Sequence, residues 1–316
     1  MAQSQATTTV ARPAATIEKR RRTWDDYEGT VLGTVAVIVF LIFWEGVGTK
    51  WTYFGWQVPF ASLLPQVNPM FTSAPSRIIL AGDKLFFNGG FGALLTALSA
   101  GNLAGAWEVV AKGSIWKDMW VSFQEFAWGY LMSVAFGIPF GMLTGWYRRL
   151  NYVFEPFVSA LYATPRVALL PLFIIWFGIG INSKIAVVFA GAMFPVIIST
   201  FSGMRTLDSN LLKCARSFGA NDWQIFRTIA IPGSIPFIIT GLRLAVGRAL
   251  IGVVVGELYA ATAGVGYLIT VAGATFQTDK VFVGVMIICF SGLFMMEMLK
   301  QVERHFEPWR QRVGSG

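Results

Sequence analysis

The sequence predicts an all-α, polytopic membrane helical bundle of about six transmembrane helices, with a pair of short helices on its cytoplasmic side. Three observations carry that expectation. Hydrophobic residues fill 55% of the 316 positions and charged residues 13%, whereas soluble domains carry about 25% charged residues. Too few polar side chains remain to cover a water-facing globule, which excludes a soluble enzyme, a disordered chain and a disulfide scaffold. Six apolar stretches, residues 31–49, 126–147, 157–179, 185–204, 235–256 and 281–299, are long enough to approach the ~20 residues that a hydrocarbon core requires. The basic residues are also unevenly placed. With the N-terminus inside, fifteen Lys and Arg fall on cytoplasmic segments, seven on outer segments and three within spans, as the positive-inside rule demands.

Taken in chain order, residues 1–30 form a basic cytoplasmic segment in which Lys19, Arg20, Arg21 and Arg22 fix orientation and meet anionic headgroups. The net charge of +8 thus points to membrane lipid and not to nucleic acid. Residues 31–49 form the first span. Trp44, Glu45 and Gly46 close it without a small-residue cleavage site, so it is expected to stay uncleaved. Residues 50–118 are expected as a periplasmic or interfacial insert. Within it the stretch 85–107 is apolar enough to resemble a span, but it holds Asn88, Asn102 and several glycines, and each interior glycine costs a helix about 1 kcal/mol. A span there would also put the Lys19–Arg22 cluster and the basic 205–227 segment on opposite sides. Residues 119–300 form the core, and residues 301–316 a cytoplasmic tail.

Between the fourth and fifth spans, residues 205–234 read as two short helices. Asp208 can cap the first, and Leu207, Leu211, Cys214 and Phe218 follow one face. Gly219 stops it. Asn221 with Gln224 forms a capping pair for the second, whose Trp223, Phe226 and Ala230 share a face before Pro232 breaks it. Such a pair, outside the bundle, has nothing of its own to bury against and is expected as a docking surface. The two cysteines, Cys214 and Cys289, are expected as packing residues, because no His or second Cys stands near either at ligand spacing. The single His305 excludes His-based metal or acid–base chemistry, and the spans show no paired carboxylates.

The run Lys213-Cys214-Ala215, three residues, Gly219, nine residues and Ile229-Ala230-Ile231-Pro232 resembles the EAA loop of bacterial ABC importer permeases, E-A-A, three residues, G, nine residues, I-x-L-P. Lys213, Cys214 and Ile231 depart from that pattern. The stretches LLPLFIIWFGIG at 169–180 and GLRLAVGRALIGVVVGE at 241–257, with Gly264-Val265-Gly266-Tyr267, look like the nitrate, sulfonate, taurine and bicarbonate importer permeases over roughly residues 120–300. The resemblance implies a multi-pass subunit of the bacterial inner membrane with both termini cytoplasmic. Its implied partners are a second permease copy, cytoplasmic ATPase subunits and a periplasmic solute-binding protein. It implies coupling to the ATPase through Leu211, Lys213, Cys214, Ala215, Phe218, Gly219, Ala220, Trp223, Phe226, Ile229 and Pro232. ATP and Mg would sit on the partner, no cofactor on this chain. In agreement, no Gly-Lys-Ser or Gly-Lys-Thr occurs in the sequence.

Arg166, Arg243 and Arg248 lie within apolar stretches, where insertion scales charge about 2.5–3.5 kcal/mol for each arginine at the helix centre. Each is therefore either part of an anion path or tied to carbonyls, to Glu257 or between helices. The alternative to an ATP-driven importer is a self-powered secondary transporter or channel. A proton-coupled carrier would need intramembrane carboxylates, and the expected spans offer only Glu45 and Glu297 near their ends.

Overall fold

The computed structural model describes residues 25–50, 52–53, 56–57, 68–260 and 262–306. The basic residues 1–24, the aromatic Trp51 and the last ten residues of the expected tail lie outside them. The first helix, α1, covers Asp25–Gly48. The insert holds a two-residue antiparallel pairing of β1 (Thr52–Tyr53) with β2 (Trp56–Gln57). It continues with α2 (Pro69–Thr72), α3 (Pro75–Phe87), α4 (Phe91–Ser99) and α5 (Leu103–Ala111). The core follows with α6 (Ile115–Trp146), α7 (Arg148–Ala163), a 3-10 turn at Arg166–Leu169, α8 (Leu170–Phe177) and α9 (Ile181–Arg205). The short helices α10 (Ser209–Ser217) and α11 (Asp222–Ile225) lead through a π-helical turn at Phe226–Ala230 into α12 (Ile231–Ala260). The chain closes with α13 (Val265–Ala274) and α14 (Thr278–Phe306).

Helices α6, α9 and α12 form the centre, with Val188, Ala192, Val196, Ala245, Val246 and Ala249 buried between them. Small residues let α6 and α9 touch backbone to side chain. A Cβ at Gly129 would fall 2.5 Å from Val188, one at Gly137 3.0 Å from Val196 and one at Gly145 2.5 Å from Met204. Ser133, on the same stripe, donates to the Phe189 carbonyl at 3.0 Å. Lipid offers no hydrophobic drive for helix association, so close approach along a small-residue stripe supplies the contact energy. The constant offset of these pairs shows that α6 and α9 run parallel. Gly241 against Ser199, Gly252 against Val188 and Gly256 against Lys184 show that α12 runs antiparallel to both.

The parallel pair fixes what lies between. The chain leaves α6 at the end of the bundle that carries α10 and α11, here the loop end, and must regain the far end before α9 starts. It does so through α7 and α8, which meet at a bend of 93°. The span expected at 157–179 is broken at Pro165, as a proline there predicts, but its helix begins earlier, at Arg148; it stops at Ala163 and restarts after Pro165. Proline lacks the N–H that would continue the helix and drives Thr164 into extended geometry (φ −67°, ψ 129°). Five helices, α1, α6, α9, α12 and α14, are long and apolar enough to cross a membrane, and the bent α7–α8 pair, counted as one broken span, brings them to the six that the sequence predicts. The stretch 85–107 is not one continuous helix: α4 ends before residues 100–102 and α5 packs back against it.

Pro232 does not end the second loop helix, contrary to expectation. Residues 222–259 run on as one apolar helical rod. The π-turn at Phe226–Ala230, in which the Ile231 N–H bonds to the Phe226 carbonyl, widens the helix one turn ahead of Pro232. That shift relieves the clash between the proline ring and the carbonyl four residues back.

Candidate functional site: a loop-end surface and an arginine cavity

The loop-end surface is built by caps. Asp208 accepts from the Asn210 N–H at 2.8 Å to start α10. At its end the Ala220 N–H returns to the Ala215 carbonyl at 3.1 Å, and Gly219 takes φ +78°. This is the six-to-one closure of a left-handed helix stop, and only glycine adopts that φ without a Cβ penalty. Asn221 and Gln224 then form a reciprocal capping box, each side chain accepting from the other's backbone N–H at 2.8 Å. Arg216 reaches across the turn to Asp222 at 3.5 Å.

These caps present Leu211, Lys213, Cys214, Phe218 and Trp223 to the outside, with Phe218 87% and Trp223 67% exposed. Ala215, Ala220, Phe226 and Ile229 are half-buried beneath them, and Pro232 is exposed. Trp223 stacks on Phe226 at 5.7 Å, and Phe226 meets Trp146 at the end of α6 edge-on at 5.2 Å. The exposed face is therefore tied by an aromatic relay to the long helices of the core. Cys214 and Cys289 are both exposed, which corrects their reading as packing residues.

The three span arginines part company. Arg166 and Arg248, 82 positions apart, line one cavity of about 280 Å³ together with Tyr162, Thr164, Val187 and Gly252. Arg166 sits on the break after Pro165, with its guanidinium 5.3 Å from the Tyr162 ring and 5.9 Å from that of Phe194. Its Nη2 donates to the Tyr162 carbonyl at 3.4 Å, while its Nε has no hydrogen-bond partner among the described residues. Gly191 brings α9 against the Arg248 backbone, where a Cβ would stand 3.2 Å from the carbonyl oxygen. The two guanidinium groups act on each other as like charges, and neither has an ion-pair partner among the described residues. Arg243 is not part of this cavity; it pairs with Glu303 of α14.

A second charged cluster escaped sequence reasoning. Lys184, expected in an outer loop, is 4% exposed inside α9 and pairs with Glu125 of α6, itself fully buried. Glu257 of α12, also buried, accepts from Ser122 and from the Gly266 N–H at 2.6 Å each. Ser122 in turn accepts from the Val265 N–H, and Asp118 from the Gly264 N–H, both at 2.9 Å. The expectation that the spans lack paired carboxylates is therefore corrected. Glu125 stood one residue outside the expected span, and only the α6–α9–α12 packing brings the two acids to one lysine. The available signal was the oddity of Glu125 and Lys184 at the edges of apolar runs.

Residues 137–308 match the family model for the binding-protein-dependent transport system inner membrane component. The chain belongs to that family. A relative in Brucella abortus (strain 2308), named "Probable ABC transporter permease protein", is 34% identical over 227 residues, covering 70% of this chain and 91% of that relative. The taurine transport system permease protein TauC of Escherichia coli is 28% identical over 282 residues, covering 89% and 90%. A solved structure of the MetNI methionine ABC transporter in inward-facing conformations covers 57% of this chain and 93% of its own at 18% identity, with a TM-score of 0.46. The chain is thus a membrane-spanning ABC permease, and the resemblance drawn from its loop spacing is borne out at the level of family.

Proposed function

We propose that this permease carries a small organic or inorganic anion, of the sulfonate type that taurine exemplifies, from periplasm to cytoplasm under the power of a separate ATPase. The observation that carries the anionic reading is the cavity that Arg166 and Arg248 line together with no acid among its lining residues. Arg166 is half-buried and Arg248 exposed at the cavity, their like charges repel, and an oxyanion between them relieves that cost while accepting planar, bidentate hydrogen bonds. The exposed Leu211, Phe218 and Trp223 face is assigned to the ATPase, with ATP and Mg held there and not by this chain. A second copy of the permease and a periplasmic binding protein complete the importer in the bacterial inner membrane, both termini of this chain facing the cytoplasm. The loop end is then the cytoplasmic end, in keeping with its exposed Arg205, Lys213, Arg216 and Arg227.

The test is a comparison of arginine variants in the reconstituted complex. Arg248→Lys keeps the charge and loses the fork, so assembly and basal ATP hydrolysis stay near normal while transport weakens. Arg248→Met nearly abolishes transport. Arg243→Met breaks the pair with Glu303 and lowers the yield of assembled complex, with transport per complex unchanged. Should both Arg248 variants lower yield and leave transport per complex intact, the anion-path role is refuted.

A further inference from the structure

The insert contains a feature that the transport reading does not use. Helices α4 and α5, nine residues each, pack against one another as a hairpin, and their outward face is apolar: Phe91, Leu95, Leu98, Leu103 and Trp107 are all exposed. No Asp, Glu, Lys or Arg occurs from residue 85 to residue 107, whereas Asp83, Lys84, Glu108 and Lys112 gather at the base. Charge therefore falls to zero from base to tip. In water such a surface would be a large exposed apolar patch.

The tip is also closed to itself. The Gly101 N–H donates to the Leu98 carbonyl at 3.0 Å and the Asn102 N–H to the Ala97 carbonyl at 2.8 Å, a closure made possible by φ +69° at Gly101. Asn102 caps α5 by accepting from the Gly105 N–H at 2.9 Å. Thr96 and Ser99 donate their hydroxyls to the carbonyls three residues back, at 2.9 Å each. Hydrocarbon tolerates a chain reversal only when its polar groups are satisfied within the protein.

The base is anchored where a headgroup region would lie. Asp83 accepts from the Phe91 N–H at 3.0 Å, and Trp116 at the start of α6 donates to the Val110 carbonyl at 2.8 Å. Trp116 begins an exposed aromatic row on α6 that continues with Trp120 and Phe123, so the apolar face of the hairpin is continuous with the surface of a spanning helix. Tryptophans at the base and aliphatic side chains toward the tip follow the order of an interface and a core. Nine residues reach ~14 Å, about half of a ~30 Å hydrocarbon layer.

We infer that α4 and α5 form a re-entrant hairpin inserted in the membrane leaflet at the far end of the bundle, with lipid acyl chains as the partner of its apolar face. A hairpin that enters and leaves on one side adds no crossing, so the six-crossing topology is kept.

The experiment places a cysteine at the tip (Ser99→Cys, and separately Ala104→Cys) or at the base (Lys112→Cys) of the full chain, with Cys214 and Cys289 replaced by serine. In vesicles, the tip positions should react with an impermeant maleimide at least about tenfold more slowly than the base position, as a water-free site requires. A fluorophore on either tip position should be quenched more by nitroxides deep in the acyl chains than by nitroxides on the headgroups. Equal reactivity of tip and base overturns the inference, as does headgroup-dominated quenching. Slow reaction without quenching by any lipid overturns it as well, because the cover would then be protein, a second copy or the binding protein.

Discussion

Lys184 pairs with the buried Glu125 and acts as a nearby opposite charge on the buried Glu257, and a lone substitution there separates opposed effects. Removing one partner of a buried ion pair costs about 3–5 kcal/mol because the remaining charge is left uncompensated. Lys184→Met leaves Glu125 without its only charge partner among the described residues, and Glu257 with bonds from Ser122 and Gly266 alone. Thermal unfolding of the detergent-solubilised protein should therefore fall steeply. The double variant Lys184→Met/Glu125→Gln should recover much of that loss, since the acid with no hydrogen-bond donor is then neutral. Equal melting of the single and double variants would show that the pair carries no such weight. The sequence showed each of these charges but not their meeting: Lys184, Glu125 and Glu257 come from three helices, and no spacing rule reaches across 59 or 73 positions.

At the scale of elements, the loop helices were legible because caps are local. Asp208, Gly219, Asn221 and Gln224 act on backbone groups within a few residues of themselves, so the sequence already contains their partners. Gly219→Val forces a branched side chain into φ +78° and should displace Phe218 relative to Trp223 while the long helices still insert. Solute-stimulated ATP hydrolysis of the assembled complex should then drop sharply; unchanged stimulation would mean that this turn does not set the surface. The end at Pro232 was misjudged because a proline forbids one hydrogen bond, not a helix. The π-turn before it removes the need for that bond, and the burial of Ile225 and Ala230 at its two ends holds the widened turn in place.

For the whole molecule, the crossing pattern makes a direct labelling prediction. Ser217, on the loop-end surface, and Lys280, at the start of α14, belong to opposite ends of the bundle. Cysteines placed there, with Cys214 and Cys289 replaced by serine, should react with an impermeant thiol reagent from opposite sides of the membrane. Labelling from one side would remove α12 from the count of crossings, since α12 is the long helix that runs between the two positions.

Composition, apolar run length and the bias of basic residues determined that the chain crosses a membrane about six times, because insertion depends on sums over some twenty residues and not on their partners. The spacing from Lys213 to Pro232 likewise determined the family. Tertiary structure alone decided that Arg166 and Arg248 share a cavity while Arg243 is tied to Glu303. A span arginine is costly wherever it lies, and sequence cannot tell which neighbour relieves it. That depends on the register of α9 against α12, which Gly191, Gly241, Gly252 and Gly256 set by close approach. The bend at Pro165 then swings Arg166 toward the same face, so the site exists only once the helices have packed.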